Sequence, residues 1–100
     1  VNIEIPAGVT SIGEGAFRDC DSLVSIEIPA SVTSIGGDAF GSCARLRSVT
    51  MNSVTPPGLG ILAFYNTPDD MKIYVPSGSE DTYKSASGWS SCASKITVKP

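Results

Sequence analysis

The sequence predicts an α/β solenoid: five coils, each giving one short strand to a narrow parallel sheet, with a helical cap at the C-terminus. Three observations carry this reading. Ile3-Glu4-Ile5-Pro6 returns as Ile26-Glu27-Ile28-Pro29, 23 residues later, and repetition at a fixed period of this size marks stacked-repeat architectures. The same shift carries Val9 to Val32, Ile12 to Ile35, Gly13 to Gly36, Ala16-Phe17 to Ala39-Phe40, Cys20 to Cys43 and Leu23 to Leu46. Further steps reach Val49 and Met51, then Ile73-Tyr74-Val75-Pro76, then Ile96-Thr97-Val98, so five alternating segments lie 23, 23, 24 and 23 residues apart. Each is too short to bury its own apolar face, so stability requires neighbouring copies to stack.

The strands are expected to be parallel and in sequence order, centred on residues 4, 27, 50, 74 and 97. Alternation turns Ile3, Ile5, Ile26, Ile28, Val49, Met51, Ile73, Val75, Ile96 and Val98 to one side and the residues between them to the other. Proline after three of the strands removes a backbone donor and ends the pairing there. Val9, Ile12, Phe17 and Leu23 then return the first coil around a common apolar interior. Gly13, Gly36 and Gly60 are read as tight corners in a left-handed conformation. The Ala-Phe stretch after each corner has room for one or two helical turns, with Phe17, Phe40 and Phe64 in one buried stack.

The third coil is irregular: Thr55-Pro56-Pro57-Gly58 replaces the regular turn, although Leu59-Gly60 and Ala63-Phe64 keep their columns. In the last coil, Ser77-Gly78-Ser79-Glu80 reads as a capping box with Ser77 at the N-cap and Glu80 reaching back. A helix of about two turns over 81–87 follows, with Gly88 as its stop. Trp89 and Tyr83 are expected to cover the apolar atoms that a further coil would otherwise bury. The reading is a single domain over 1–100, with repeats over 1–76 and the cap over 77–100.

Composition narrows the function. A chain of 100 residues leaves little room for a second core. Seven bases against ten acids give a net charge of −3, so no basic footprint points to nucleic acid. The longest apolar stretch, Leu59 to Phe64, falls far below the roughly 20 residues of a membrane helix. The absence of histidine removes the usual general base and the commonest metal ligand, so neither an enzyme nor a cofactor is expected. The chain starts at Val1 without a signal peptide and reads as a piece of a longer protein.

The remaining motifs point to structure more than chemistry. Cys20 and Cys43 share a column and fall within reach of a disulfide, but an odd count of three favours buried, inert thiols. Cys92 has no repeat partner. Gly58-Leu59-Gly60-Ile61-Leu62-Ala63 matches a dinucleotide fingerprint, yet Pro56-Pro57 precedes it instead of a strand, and no long helix is expected after it. Asp69-Asp70 and Glu80-Asp81 lack calcium-loop spacing and read as a solvated turn and a helix start.

Outward positions carry the functional expectation. One column holds Glu4, Glu27, Thr50, Tyr74 and Thr97; a parallel one holds Asn2, Ser25, Ser48, Lys72 and Lys95. The gradient from acids to Tyr74 and Lys72 suggests a protein- or glycan-binding face built from Glu4, Glu27, Thr50, Tyr74, Lys72 and Arg47. The bland alternative is an ordinary solvated sheet face, with Arg45 and Arg47 offsetting nearby acids.

The pattern Ile-x-Ile-Pro-x-x-Val-x-x-Ile-Gly-x-x-Ala-Phe-x-x-Cys-x-x-Leu resembles the BspA-type leucine-rich repeat of bacterial surface proteins. The stretch from Lys72 through Tyr83-Lys84 and Gly88-Trp89 to Ile96 is similar to the C-terminal cap of that family in gut and oral Bacteroidetes. The third repeat departs from it, with Thr67 where the family cysteine would stand. The resemblance implies a right-handed leucine-rich-repeat solenoid, exported and displayed at the cell surface, with adhesion or host-protein binding in some relatives. A structural spacer with no ligand of its own is the alternative. Earlier repeats are expected on the open N-terminal edge; left bare, that edge would fray or drive weak dimerisation.

Overall fold

The computed structural model describes residues 2–60, 62–68, 70–86 and 88–98, with backbone only at Asn2, Ile3, Glu4 and Ser91. Asp69 of the acidic pair, Ile61 of the glycine motif and the expected helix end at Ser87 lie outside the described residues. In chain order the elements are β1 (Asn2–Glu4), β2 (Ser11–Ile12), β3 (Ser25–Ile28), β4 (Ser34–Ile35), β5 (Ser48–Met51), β6 (Gly58–Leu59), β7 (Lys72–Val75), α1 (Glu80–Ser85) and β8 (Ile96–Val98). A 3₁₀ segment over Trp89–Lys95 joins α1 to β8.

Two parallel sheets result. The larger runs β1-β3-β5-β7-β8, with Ile3 opposite Ile26, Ile26 opposite Val49, Val49 opposite Ile73 and Ile73 opposite Ile96. Those are the pairs that the 23- and 24-residue steps predict. The inward columns form the core: Ile26, Ile28, Val49, Met51, Ile73, Val75 and Ile96 are all buried. The smaller sheet, β2-β4-β6, pairs Ile12 with Ile35 and Ile35 with Leu59. Sequence reading took these residues only as apolar anchors. A strand of two residues is too short to show alternation, and it exists only because the neighbouring repeat completes it.

The corner glycines are glycine for a different reason than expected. Left-handed backbone falls instead on two other columns, Gly15, Asp38 and Leu62, and Asp19, Ser42 and Asn66. At Gly36 an added Cβ would lie 2.5 Å from the Glu14 amide nitrogen, and at Gly60 it would strike the Gly37 amide nitrogen. Close approach of stacked backbones, and not positive φ, excludes a side chain there.

The Ala-Phe stretches are successive turns, not helices. Ala16, Arg18 and Cys20 amides donate three residues back to Gly13, Gly15 and Phe17 carbonyls. The alternate amides Gly15, Phe17 and Asp19 donate forward to the Gly37, Ala39 and Gly41 carbonyls at 3.0, 2.7 and 2.9 Å. Amides used between repeats are unavailable for a helical ladder. The phenylalanines stack as expected, with both centroid separations 5.3 Å and planes 5° apart. Only Phe40 is fully buried; Phe17 and Phe64 are half-buried.

The cap closes on the irregular third repeat. Tyr83 and Trp89 are both 0% exposed, and they meet edge to face at 5.1 Å. Trp89 also lies 6.1 Å from Phe64, extending the phenylalanine column. Their polar atoms are satisfied by that repeat: the Tyr83 hydroxyl donates to the Ser53 carbonyl at 2.6 Å, and Trp89 Nε1 to the Pro57 carbonyl at 2.8 Å. Gly88, at φ 84°, lets the chain pass against Leu59, whose carbonyl oxygen would be 2.9 Å from an added Cβ. The expected capping box does not form. The N-cap is Ser79, not Ser77, and its side chain makes no cap bond. Glu80 still reaches back, accepting the Gly78 amide at 2.9 Å. The helix ends at Ser85 with Ala86 as its C-cap, ahead of Gly88.

Candidate interaction surface

Strand alternation sends one set of side chains into the core and leaves the other on the outer face of the larger sheet. The register aligns Glu4, Glu27, Thr50, Tyr74 and Thr97 in one column. Beside it Asn2, Ser25, Ser48 and Lys72 form the second. Glu27, Lys72 and Thr97 are exposed, whereas Ser25, Ser48, Thr50 and Tyr74 are half-buried. Glu4 is in register with Glu27, but its side chain lies outside the described residues.

Two expected members are elsewhere. Lys95 leaves the column because it belongs to the 3₁₀ segment, and its Nζ donates to the Pro68 carbonyl at 3.1 Å. Arg47 precedes β5, with its Nη1 3.7 Å from Asp70 Oδ2 and both side chains about 70% exposed. A pair that open to solvent contributes little. Together with Val24, Ala44, Arg45 and Pro68, these two residues line a separate open groove.

Sequence reading missed Asn52. Its Nδ2 donates to Glu27 Oε2 at 2.9 Å, and its backbone amide donates to the Ile28 carbonyl at 3.1 Å. The available signal was a broken column: Pro6, Pro29 and Pro76 follow their strands, while asparagine follows β5. Asparagine keeps the backbone donor that proline lacks, so the ladder extends by one rung. Glu27 and Asn52, with Ile5, Pro6, Ala7 and Pro29, line an open groove of about 420 Å³.

The thiols are set up for packing. All three cysteines are free. Cys43 donates to the Phe17 carbonyl at 3.0 Å, and Cys92 to the Trp89 carbonyl at 3.3 Å. Burial pushes both thiols above their ordinary range, which holds them in the unreactive protonated form. Gly58-Leu59 of the glycine motif is β6, and turns follow it instead of a helix. Among the described residues no cluster of three or more histidine, cysteine, aspartate or glutamate side chains could hold a metal. No helix among them is long and apolar enough to cross a membrane.

No curated protein matches the chain. The family model described as the BspA type leucine rich repeat region matches residues 1–98 with six copies. Its span covers both parallel sheets and the cap, so the chain belongs to the BspA-type leucine-rich repeat family.

Proposed function

We propose that this chain is a surface-displayed, adhesin-like module that binds an extracellular or host protein or a glycan through the outer face of its larger sheet. The family is one of repeat modules for interaction or structure and is generally non-enzymatic. On this reading the repeats form a right-handed solenoid, since parallel crossover connections are overwhelmingly right-handed. Residues 1–76 supply the repeats and 77–100 the cap. The module is exported and secreted or held at the bacterial surface.

The carrying observation is the mixed column Glu27, Thr50, Tyr74 and Thr97 beside Ser25, Ser48 and Lys72, held in register by backbone pairing. Such a face offers fixed donors, acceptors and one aromatic ring at little ordering cost. The Glu27–Asn52 pair above Pro6 and Pro29 adds a planar polar group next to apolar rings. The small side chains of Ser25 and Ser48 favour the second reading, a spacer without a ligand of its own.

The test is a binding screen of this chain against extracellular-matrix proteins and a glycan array. Tyr74→Ala and Glu27→Gln are expected to weaken any hit by about tenfold. Binding that neither change affects, or no binding at all, removes the sheet-face reading and leaves the spacer.

A further inference from the structure

The column that ends the strands breaks at one place, and the break changes what that corner can bind. Pro6 and Pro29 follow β1 and β3, but Asn52 follows β5. Asn52 is held from both sides. Its amide donates to the Ile28 carbonyl at 3.1 Å, and the carbonyl of the next residue, Ser53, accepts the Tyr83 hydroxyl at 2.6 Å. From this fixed position Asn52 Nδ2 donates to Glu27 Oε2 at 2.9 Å. Each of the two side chains has a second oxygen that can accept. Among the described residues, Glu27 Oε1 and Asn52 Oδ1 meet no donor.

Glu27 and Asn52 share their open groove of about 420 Å³ with Ile5, Pro6, Ala7 and Pro29. The described lining contains one charged residue, a carboxylate, and no lysine or arginine. Ion pairs among the described residues, Arg18–Asp38 and Arg47–Asp70, lie elsewhere. Glu4 is in register with Glu27 on the neighbouring strand, which makes the column acidic at this end of the sheet. The groove therefore calls for a cation with apolar flanks. One carboxylate and one carboxamide fall well short of the about six to eight oxygens that calcium takes. No aromatic ring stands among the described lining residues, so a sugar ring has no face to stack on.

We propose that this groove takes an arginine side chain presented by a partner protein. The proposal rests on the sheet-face reading and narrows its ligand to a protein. The guanidinium donates to Glu27 Oε1 and Asn52 Oδ1, while its aliphatic stem lies along Pro6 and Pro29. Arginine fits better than lysine because a planar fork serves two acceptors at once, whereas an ammonium is a strongly hydrated point charge. Asn52 already holds the carboxylate, so little side-chain freedom is lost on binding.

The probe is the blocked tripeptide acetyl-Ala-Arg-Ala-amide, titrated into the ¹⁵N-labelled chain. Saturable shifts are expected at the Asn52 side-chain amide and the Glu27 and Asn52 backbone amides, with a Kd of roughly 1–10 mM. The lysine analogue is expected to bind roughly threefold more weakly. The citrulline analogue, similar in shape but neutral, is expected to lose roughly tenfold or more. Glu27→Gln is expected to weaken the arginine peptide roughly tenfold, and Asn52→Ala roughly threefold. Both residues are exposed, and unchanged amide shifts elsewhere show that each variant is folded. The proposal is overturned by unperturbed Glu27 and Asn52 amides at roughly 20 mM peptide. It also falls if lysine or citrulline binds as well as arginine, if Glu27→Gln binds as the parent does, or if lactose shifts the same amides at lower concentration. The titration needs no macromolecular partner, so it reports on the groove separately from the binding screen. A screen hit weakened by Tyr74→Ala but not by Glu27→Gln keeps the sheet-face reading and overturns the arginine assignment.

Discussion

The first and second repeats carry nearly the same residues, yet only the second is fully core. Ile35, Phe40 and Cys43 are 2%, 0% and 0% exposed, while their counterparts Phe17 and Cys20 are half-buried and Ile12 retains 6% exposure. The identical side chain is interior in one repeat and partly surface in the other because burial here comes from the neighbours on both sides. The third repeat receives its outer neighbour in a different form. Tyr83 and Trp89 cover it and anchor their polar atoms on the carbonyls of its irregular loop.

The largest effect that tests this contrast is at the phenylalanine column. Phe40→Ala is expected to cost about 3–5 kcal/mol in urea unfolding, as a fully buried aromatic deletion. The same change at Phe17, open on one side, is expected to cost clearly less. Equal losses would mean that position in the stack does not govern burial energy.

The corner glycines give the next largest contrast. Gly36→Ala drives a Cβ into the Glu14 backbone and is expected to cost about 3 kcal/mol, the upper end of overpacking. Gly13→Ala meets nothing within 4 Å and is expected to stay within about 0.5 kcal/mol of the parent. Thermal melts of the two variants, run side by side, check this.

At the cap, burial pushes the Tyr83 hydroxyl from 10.0 up to about 12. Between those values the unfolded chain has lost the proton and the folded chain keeps it, so stability falls as pH rises. The loss is about 2–3 kcal/mol, complete by roughly pH 12 and absent below pH 10. Denaturation of the parent and of Tyr83→Phe across that range isolates the effect, since the variant lacks this slope. The smallest change is expected at the Arg47–Asp70 pair, where a double-mutant cycle should give less than about 0.5 kcal/mol, decreasing with salt.

The strand register was legible because Ile26, Val49, Ile73 and Ile96 each occupy an alternating segment at a near-constant step. The role of the aromatic cap residues was legible from Trp89 and Tyr83 standing outside the repeat. The corners were misread because glycine permits both positive φ and close approach, and only the second applies at Gly36 and Gly60. Asn52 was passed over because its partner Glu27 is 25 residues away and meets it only after adjacent strands pair. The displaced N-cap at Ser79 reflects two serines flanking Gly78, a choice that local composition leaves open.

By itself, then, the sequence determined the repeat length, the inward columns of the larger sheet, the place of the phenylalanine stack and the family. All are properties of periodic side chains, and a period is written in one dimension. Tertiary structure alone decided the second sheet, the backbone contacts behind Gly36 and Gly60, and the Glu27–Asn52 pair. These depend on which backbone groups of one repeat face those of the next, and backbone groups carry no sequence signal until stacking brings them together.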